Sequence, residues 1–158
     1  GTAELYGPPG QFHITEGSGF AMLDAHAQQQ LTNLTFDIAP QSDRMGFRLR
    51  GPSLKMTEYR EQISAGVTRG TIQLLPNGHL IILMADHQTT GGYPRLAHVI
   101  TADQPALSQL KPRDELRFRM IPAEAAEDLL WQQEQRLHFM QNACKLRLEE
   151  WLSHYGLH

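Results

Sequence analysis

Short runs of alternating apolar and polar residues dominate the first three quarters of the chain. Over residues 34–38 the order Leu-Thr-Phe-Asp-Ile has a period of two, which predicts a strand with one buried face. Residues 115–120, Glu-Leu-Arg-Phe-Arg-Met, alternate in the same way. Further strands are predicted at 47–50 and 96–101, so the pattern indicates many short strands divided by turns.

Two apolar runs, residues 70–75 and 80–85, are joined by Pro76-Asn77-Gly78-His79. Asn and Gly tolerate the positive φ angles of a tight turn between antiparallel strands. The spacing therefore predicts a β-hairpin over residues 70–85.

The period changes after Pro122. From Ala123 the chain is rich in Ala, Glu, Leu and Gln, and apolar residues recur at steps of three, four or seven, which predicts an amphipathic helix. Pro122 suits a helix start, Gly156 suits a helix end, and Gln133 interrupts the apolar stripe at a candidate break. Cys144 is expected to pack on this stripe as a buried, inert thiol. The stripe consists of Ala126, Leu130, Leu137, Met140, Cys144, Leu148 and Trp151.

Frequent turn signals between short strands are typical of a closed or nearly closed antiparallel β-barrel rather than of βαβ units. We therefore predict a mainly β fold with a C-terminal amphipathic helix. The predicted division is a barrel domain over residues 1–122 and a helical extension over residues 123–158.

The composition is that of one folded globular domain: 158 residues, 41 % hydrophobic and 20 % charged. The longest apolar run, residues 80–85, is far shorter than the roughly 20 residues of a spanning helix, and no basic and apolar leader opens the sequence. We expect no membrane span and no secretion. A single cysteine, Cys144, favours a reducing compartment, so the expected location is the cytoplasm.

The net charge of −3 argues against binding to a nucleic acid. However, residues 1–43 carry five acidic residues and no basic ones, whereas residues 44–119 carry eleven basic against six acidic residues. Most of these bases are arginines, which suit bidentate recognition of a carboxylate or phosphate. A small anionic ligand is one interpretation, and pairing of the arginines with acidic residues on a strand-rich surface is the other.

The segment of residues 85–94, Ala-Asp-His-Gln-Thr-Thr-Gly-Gly-Tyr-Pro, combines an acid, an amide, two hydroxyls and paired glycines after an apolar strand. Asp86 could act as a base or orient a substrate N–H, and consecutive glycine amides can form an anion-binding concavity. The alternative is a turn capped by its own side chains.

Arginines follow a turn at residues 42–51, where Arg44, Arg48 and Arg50 have even spacing and would share one face of a strand. They would bind an anion if that face lines a cleft, and would only add solubility if it faces water. Gln73 alternates with Ile72 and Leu74, so it should face away from them, as a polar group of the barrel interior that needs hydrogen-bond partners. The eight histidines match no metal-binding motif, no phosphate-binding loop motif occurs, and no metal site is expected.

The motifs at residues 42–49, 70–73 and 86–94, in this order, together resemble the C-terminal half of the family called allophanate hydrolase subunit two, or KipA. Residues 6–12, Tyr-Gly-Pro-Pro-Gly-Gln-Phe, are similar to the start of that half. The resemblance covers about residues 5–125, while the tail from about residue 132 has no place in the family pattern. It implies a cyclophilin-like β-barrel, and an additional N-terminal half that this chain lacks. Further matches towards the end are Asp103, Gln109, Leu110, Arg117 and Phe118.

The resemblance implies several functions. Some members are the C subunit of 5-oxoprolinase, which acts with two other proteins in the ATP-dependent opening of 5-oxoproline to glutamate. Others are the carboxyltransferase part of a biotin-dependent urea carboxylase, and KipA itself antagonises a histidine-kinase inhibitor. The implied partners are a sister subunit of the KipI or allophanate hydrolase subunit one type and a LamB/YcsF-like subunit.

No cofactor is expected to bind tightly to this chain. ATP would be consumed by the whole complex in the oxoprolinase, and carboxybiotin would be the donor in the carboxyltransferase. By itself, the chain is expected to be inactive.

The site hypothesis places a small anionic or amide substrate against these motifs. Asp86 and Gln73 would orient the substrate's amide, the hydroxyls and glycine amides of residues 89–92 would hold its carboxylate or the phosphate of an activated intermediate, and two arginines would neutralise charge. The residues assigned to catalysis are Asp86 and Gln73, and those assigned to substrate binding are Arg44, Arg48, Gln88, Thr89, Thr90, Gly91, Gly92 and Tyr93.

Overall fold

The computed structural model of the chain describes residues 10–62, 67–85 and 92–157, so most of the family-like motif at residues 6–12 lies outside the described residues. Seven strands are present in these ranges, and every one is six residues long or shorter. They are β1 (Gln11–Glu16), β2 (Phe36–Ile38), β3 (Gly46–Arg50), β4 (Thr71–Leu74), β5 (Leu80–Leu83), β6 (Arg95–Val99) and β7 (Glu115–Met120).

The strands form a closed barrel in the order β1-β6-β4-β5-β3-β2-β7. Closure comes from a parallel pairing between β1 and β7, in which Phe12 lies opposite Phe118. The other pairings of the described strands are antiparallel. The predicted mainly β barrel with a C-terminal helix is therefore confirmed, with one parallel contact that the sequence pattern did not indicate.

Apolar side chains from the inward positions of the strands fill the barrel. Alternation is clearest in β7, where Leu116 and Phe118 are buried between exposed neighbours. The Phe118 ring lies 5.8 Å, centroid to centroid, from the ring of Phe36 on β2, a normal separation for an aromatic pair. This core holds the outward side chains of the same strands in fixed register.

The predicted hairpin is confirmed. Ile72 lies opposite Ile82 in the β4–β5 pair, and Gly78 has a φ of +84°, a conformation that glycine adopts without strain. The Asn77 side chain accepts a hydrogen bond from the backbone N–H of His79 at 3.0 Å, which fixes the turn.

Within the described residues, three α-helices accompany the barrel: α1 (Ala25–Asn33), α2 (Gln104–Leu107) and α3 (Ala123–His154). Asp24 caps α1 by accepting a hydrogen bond from the N–H of Ala27 at 2.7 Å. The periodicity did not reveal α1, because its middle is three consecutive glutamines and only Ala27 and Leu31 are buried. Strand β1 was also not predicted, although residues 11–15 alternate polar and apolar residues; its burial departs from that alternation, because His13 is buried together with Phe12 and Ile14.

The helix predicted from Ala123 is present, but two expectations about it are wrong. It continues without a break through Gln133, since glutamine is a good helix former, and that side chain donates a hydrogen bond to the backbone oxygen of Ala102 at 2.8 Å, which ties the helix to the barrel. Cys144 is exposed rather than packed, since the helix runs beyond the barrel and its apolar stripe has no described surface beneath it. Among the described residues, no helix is both long and apolar enough to cross a lipid bilayer.

Candidate functional site

Residues 86–91, which carry most of the predicted site, lie outside the described residues. The predicted site residues in this segment are Asp86, Gln88, Thr89, Thr90 and Gly91.

The two ends of this segment are nevertheless fixed by hydrogen bonds to opposite ends of β4. Before it, the oxygen of Leu83 accepts a hydrogen bond from the N–H of Gly70 at 2.7 Å. After it, the oxygen of Pro94 accepts one from the N–H of Leu74 at 3.0 Å. Strand β4 thus lies between the two ends.

Gln73 is the outward residue in the middle of that strand. Its neighbours Ile72 and Leu74 belong to the core, so alternation turns Gln73 to the other face of the sheet. The expectation that it faces away from them is met, although it lies on the outer side of the barrel and not in its interior. It is only 2 % exposed, and its Nε2 finds no acceptor among the described residues.

Arg44 lines a cavity of about 490 Å³ where β3 begins and β5 ends. The turn that positions it is held by Asp43, whose Oδ1 accepts hydrogen bonds from the N–H groups of Met45 at 2.8 Å and Gly46 at 3.3 Å. Ala85, the last described residue before the 86–91 segment, also lines the cavity. An arginine thus faces a cavity next to the predicted loop.

Arg48 does not join Arg44. It lines a different cavity of about 260 Å³ together with Asn77 and His79 of the hairpin turn. Arg50 shares the exposed side of β3 with Arg48, and its Nε donates to Oδ1 of Asp37 at 2.6 Å. This hydrogen bond, with the charge of Asp37, raises the pKa of Arg50. The three arginines therefore do not form one anion site, and Arg50 takes the surface ion-pair role that was the alternative.

Gly92 and Tyr93 lead into β6, and Gln62 holds this entrance in place. The backbone N–H of Gln62 donates to the oxygen of Gly92 at 2.7 Å, and its side-chain oxygen accepts from the N–H of Arg95 at 3.0 Å. Tyr93 is 37 % exposed. Both predicted residues therefore lie at the β6 end of the segment, near Arg95.

Two further arginines, Arg69 and Arg95, lie in this region, although the sequence did not predict either as a site residue. Arg69 lines the same cavity as Arg44, and its Nη2 donates to the backbone oxygen of Gln104 at 3.3 Å. Arg95 lies directly opposite Gln73 in the β4–β6 pair. The predicted strand began one residue later, at Leu96, so Arg95 had no assigned face. For Arg69 we find no local sequence signal.

His98 lies three residues beyond Arg95 on β6, opposite Thr71. Its Nδ1 is 3.2 Å from the Thr71 hydroxyl oxygen. Burial, and secondarily the positive charge of Arg95, lower the pKa of His98 below its ordinary value. The neutral imidazole is therefore favoured near neutral pH. No group of three or more metal-ligating side chains occurs within residues 10–62, 67–85 and 92–157.

The sequence of the chain matches a known protein family. A sequence profile described as carboxyltransferase domain, subdomain A and B, matches residues 3–120. The chain belongs to the carboxyltransferase-domain family. The match spans every described strand of the barrel and ends at the last residue of β7, with two residues between it and the start of α3.

Two curated relatives in this family carry the same name, that of the C subunit of 5-oxoprolinase. The chain is 38 % identical over 133 residues to the protein of that name from Escherichia coli (strain K12), which covers 84 % of this chain and 42 % of the relative. It is 43 % identical over 88 residues to the one from Haemophilus influenzae, covering 56 % of this chain and 28 % of the relative. The chain thus spans less than half the length of either relative.

A solved structure supports the fold independently. The crystal structure of the K. lactis urea amidolyase matches with a TM-score of 0.73 and 21 % identity, covering 79 % of this chain and 8 % of that one. At this identity the likeness extends to the fold alone. It shows that the carboxyltransferase-type barrel also occurs as a small part of a much longer protein.

Proposed function

We propose that this chain is part of a protein like the C subunit of 5-oxoprolinase, which acts with sister subunits in the ATP-dependent hydrolysis of 5-oxoproline to glutamate. The observation that carries the proposal is the 38 % identity, over 84 % of the chain, to a relative of that name. The word "subunit" in the name supports the existence of partner proteins. Because the chain covers 42 % of that relative's length, the activity is proposed for the whole protein together with its sister subunits.

The proposed reaction breaks the lactam C–N bond of 5-oxoproline. ATP phosphorylates the lactam carbonyl oxygen and leaves as ADP; one water adds to the carbonyl carbon as the C–N bond breaks, and a second water hydrolyses the phosphorylated intermediate to the carboxylate and free phosphate. We assign Asp86 and Gln73 to orient the lactam amide, and the 89–92 segment to hold the phosphate of the activated intermediate. The burial of Gln73 on β4, between the two fixed ends of the segment, supports this assignment.

Arg44 is proposed to neutralise negative charge in the cavity beside Ala85. Arg48 lines a separate cavity, so its proposed role is to attract anions to the surface rather than to contact the same group. Gln88 and Tyr93 are proposed as further substrate contacts from the segment and its β6 end.

The test is 5-oxoproline-dependent ATP hydrolysis by the full-length protein co-purified with its sister subunits. We expect glutamate and ADP in equal amounts. Gln73→Ala and Asp86→Ala should each lower turnover about a hundredfold, the loss typical of removing one preorganised polar contact in a transition state. Gln41→Ala is the matched control, because Gln41 is an exposed glutamine in a turn, and its turnover should equal that of wild type.

No turnover by an intact, co-purifying complex would contradict the proposed function. Full turnover in both the Gln73 and Asp86 variants would contradict the residue assignment while leaving the reaction in place.

Carboxyl transfer is the second candidate, favoured by the description of the matching profile as a carboxyltransferase domain. In that reaction carboxybiotin would donate a carboxyl group to a small amide such as urea. Carboxylation of urea, measured with the full-length protein and a biotinylated partner, separates the two candidates, because it needs biotin and does not release glutamate.

A further inference from the structure

The bulged pairing of β4 with β6 sets two polar side chains side by side on the outward-facing side of the sheet, where Gln73 is nonetheless buried. Gln73 lies opposite Arg95, and opposite residues of an antiparallel pair have Cβ atoms about 5 Å apart. Long side chains at that spacing can reach a common atom. We call these two residues the Gln73–Arg95 pair.

Each member of the pair has a buried nitrogen that lacks a hydrogen-bond acceptor. Among the described residues, neither Nε2 of Gln73 nor Nη1 of Arg95 finds a partner. Arg95 also takes part in none of the ion pairs formed within the described ranges. A buried donor without an acceptor is costly, and a buried cation without a counter-charge costs more.

The two nitrogens present only N–H donors, and one of them belongs to a permanently charged group. The complementary ligand therefore has acceptor oxygens and a negative charge. A planar carboxylate offers two oxygens to the two nitrogens, and its single charge matches the single guanidinium. A phosphate dianion would leave a charge that no second cation of the pair balances.

We propose that the Gln73–Arg95 pair binds the carboxylate of the substrate, with the Arg95 guanidinium as its counter-charge. The identity of that substrate as 5-oxoproline rests on the proposed function. In 5-oxoproline the carboxylate and the lactam N–H are attached to the same ring carbon. The Gln73 amide can donate to the carboxylate and accept from the lactam N–H, so a single side chain fixes both groups and presents the lactam carbonyl away from Arg95.

His98 provides a spectroscopic readout of the bound anion. The charge of Arg95 helps to lower the pKa of His98, so a carboxylate on Arg95 should raise the pKa of that imidazole. The groups that also face His98 are the Thr71 hydroxyl and, around the adjoining cavity, Arg69 and Glu127. None of these belongs to the proposed pair.

The experiment is a titration of the full-length protein, without sister subunits or ATP, followed by the NMR signals of His98 and by calorimetry. The probes are 5-oxoproline, acetate, inorganic phosphate and 2-pyrrolidinone, which is 5-oxoproline without its carboxylate. We expect both carboxylates to raise the His98 pKa and 2-pyrrolidinone to leave it unchanged.

Arg95→Gln and Gln73→Leu should each weaken 5-oxoproline binding about 10- to 100-fold, because each removes a hydrogen bond to a charged group. Arg119→Gln is the matched control, since Arg119 is an exposed arginine on β7, and it should bind as wild type does. Arg95→Lys keeps the charge without the planar fork and should retain intermediate affinity. Thermal unfolding of each variant shows whether it is folded.

An unchanged His98 pKa in the wild-type protein at saturating acetate and 5-oxoproline would overturn the proposal, and this measurement requires no variant. Undiminished binding by folded Arg95→Gln would also overturn it, as would phosphate displacing 5-oxoproline at lower concentration than acetate does. Because binding is measured without turnover, carboxylate binding in a protein that releases no glutamate would retain the site and reject only the oxoprolinase activity.

Discussion

At the scale of single residues, one carboxylate outside the candidate site holds two parts of the chain together. Oδ2 of Asp103 accepts a hydrogen bond from the backbone N–H of His13 at 2.7 Å and lies 2.9 Å from Nδ1 of the same residue. His13 is 4 % exposed, so its backbone N–H and its ring have little access to water. Asp103 therefore anchors the middle of β1 to the short helical turn that follows β6.

We predict that Asp103→Ala lowers the free energy of unfolding by about 2 kcal/mol, because it leaves a buried backbone donor without an acceptor. Asp103→Asn keeps an acceptor oxygen and should lose less than half as much. Urea denaturation of both variants provides the measurement. Equal stability of Asp103→Ala and wild type would show that the pair contributes nothing to folding.

Residue patterns predicted some of the site and not the rest, for a physical reason. The direction of Gln73 followed from its alternation with Ile72 and Leu74, which is local information. The partner of Gln73 could not be predicted, because Arg95 reaches it only through the non-local register of β4 with β6. Likewise, Arg44 and Arg48 looked equivalent in the sequence, yet Arg44 lies in the turn before β3 and Arg48 in the middle of that strand, and they line separate cavities.

At the scale of elements, the glycine that follows β1 is a point of close contact between strands. The N–H of Gly17 donates to the oxygen of Leu96 at 2.9 Å. A Cβ atom on Gly17 would lie 2.8 Å from the Leu96 carbonyl carbon and 2.9 Å from the Ala97 nitrogen. Backbone atoms of a paired strand cannot move aside as a side chain can.

We therefore expect Gly17→Ala to destabilise the fold by about 1–3 kcal/mol, the usual cost of overpacking. Gly46→Ala is the control, because its Cβ would meet a side-chain methyl of Ile81 at 3.0 Å, which can shift. Urea denaturation curves compare the two. A smaller loss of free energy of unfolding in Gly17→Ala than in Gly46→Ala would show that the close backbone contact at Gly17 does not limit stability.

Elements with a local signal were predicted and those with only tertiary support were not. The β4–β5 hairpin has Asn77-Gly78 in its turn, and β7 alternates cleanly. By contrast, the parallel pairing of β1 with β7 depends on where the rest of the chain places the two strands. The residues of the two strands do not by themselves indicate that they are neighbours.

At the scale of the whole molecule, α3 differs from the barrel strands because its side chains are largely exposed. Its 32 residues would extend about 48 Å at 1.5 Å per residue, and none of its side chains is fully buried. Large apolar side chains on its second half are exposed, among them Phe139 at 75 % and Trp151 at 52 %. Its amphipathic pattern predicted the helix correctly but could not show that its C-terminal part lies off the barrel.

We predict that ending the chain after His138 changes the free energy of unfolding of the barrel by less than about 0.5 kcal/mol, as expected for removal of surface groups. The same truncation should lower the fluorescence of a bound apolar dye such as ANS, since exposed apolar side chains are removed. A loss of several kcal/mol would show that the distal helix supports the barrel. Gln133→Ala in the untruncated chain is the comparison, with an expected loss of about 1 kcal/mol for its hydrogen bond to Ala102.

Closure of the barrel also constrains how the chain can fold while it is being made. Strand β1 pairs with β6 and β7, so its pairing is complete only when β7, in which Arg117 lies opposite Gln11, has been synthesised. During vectorial synthesis β1 therefore remains unpaired until β6 has left the ribosome, and its other edge stays open until β7 follows. Barrels with such sequence-distant contacts fold slowly, and an unpaired apolar strand invites association with other chains. The nascent chain is thus expected to depend on chaperones until β7 emerges.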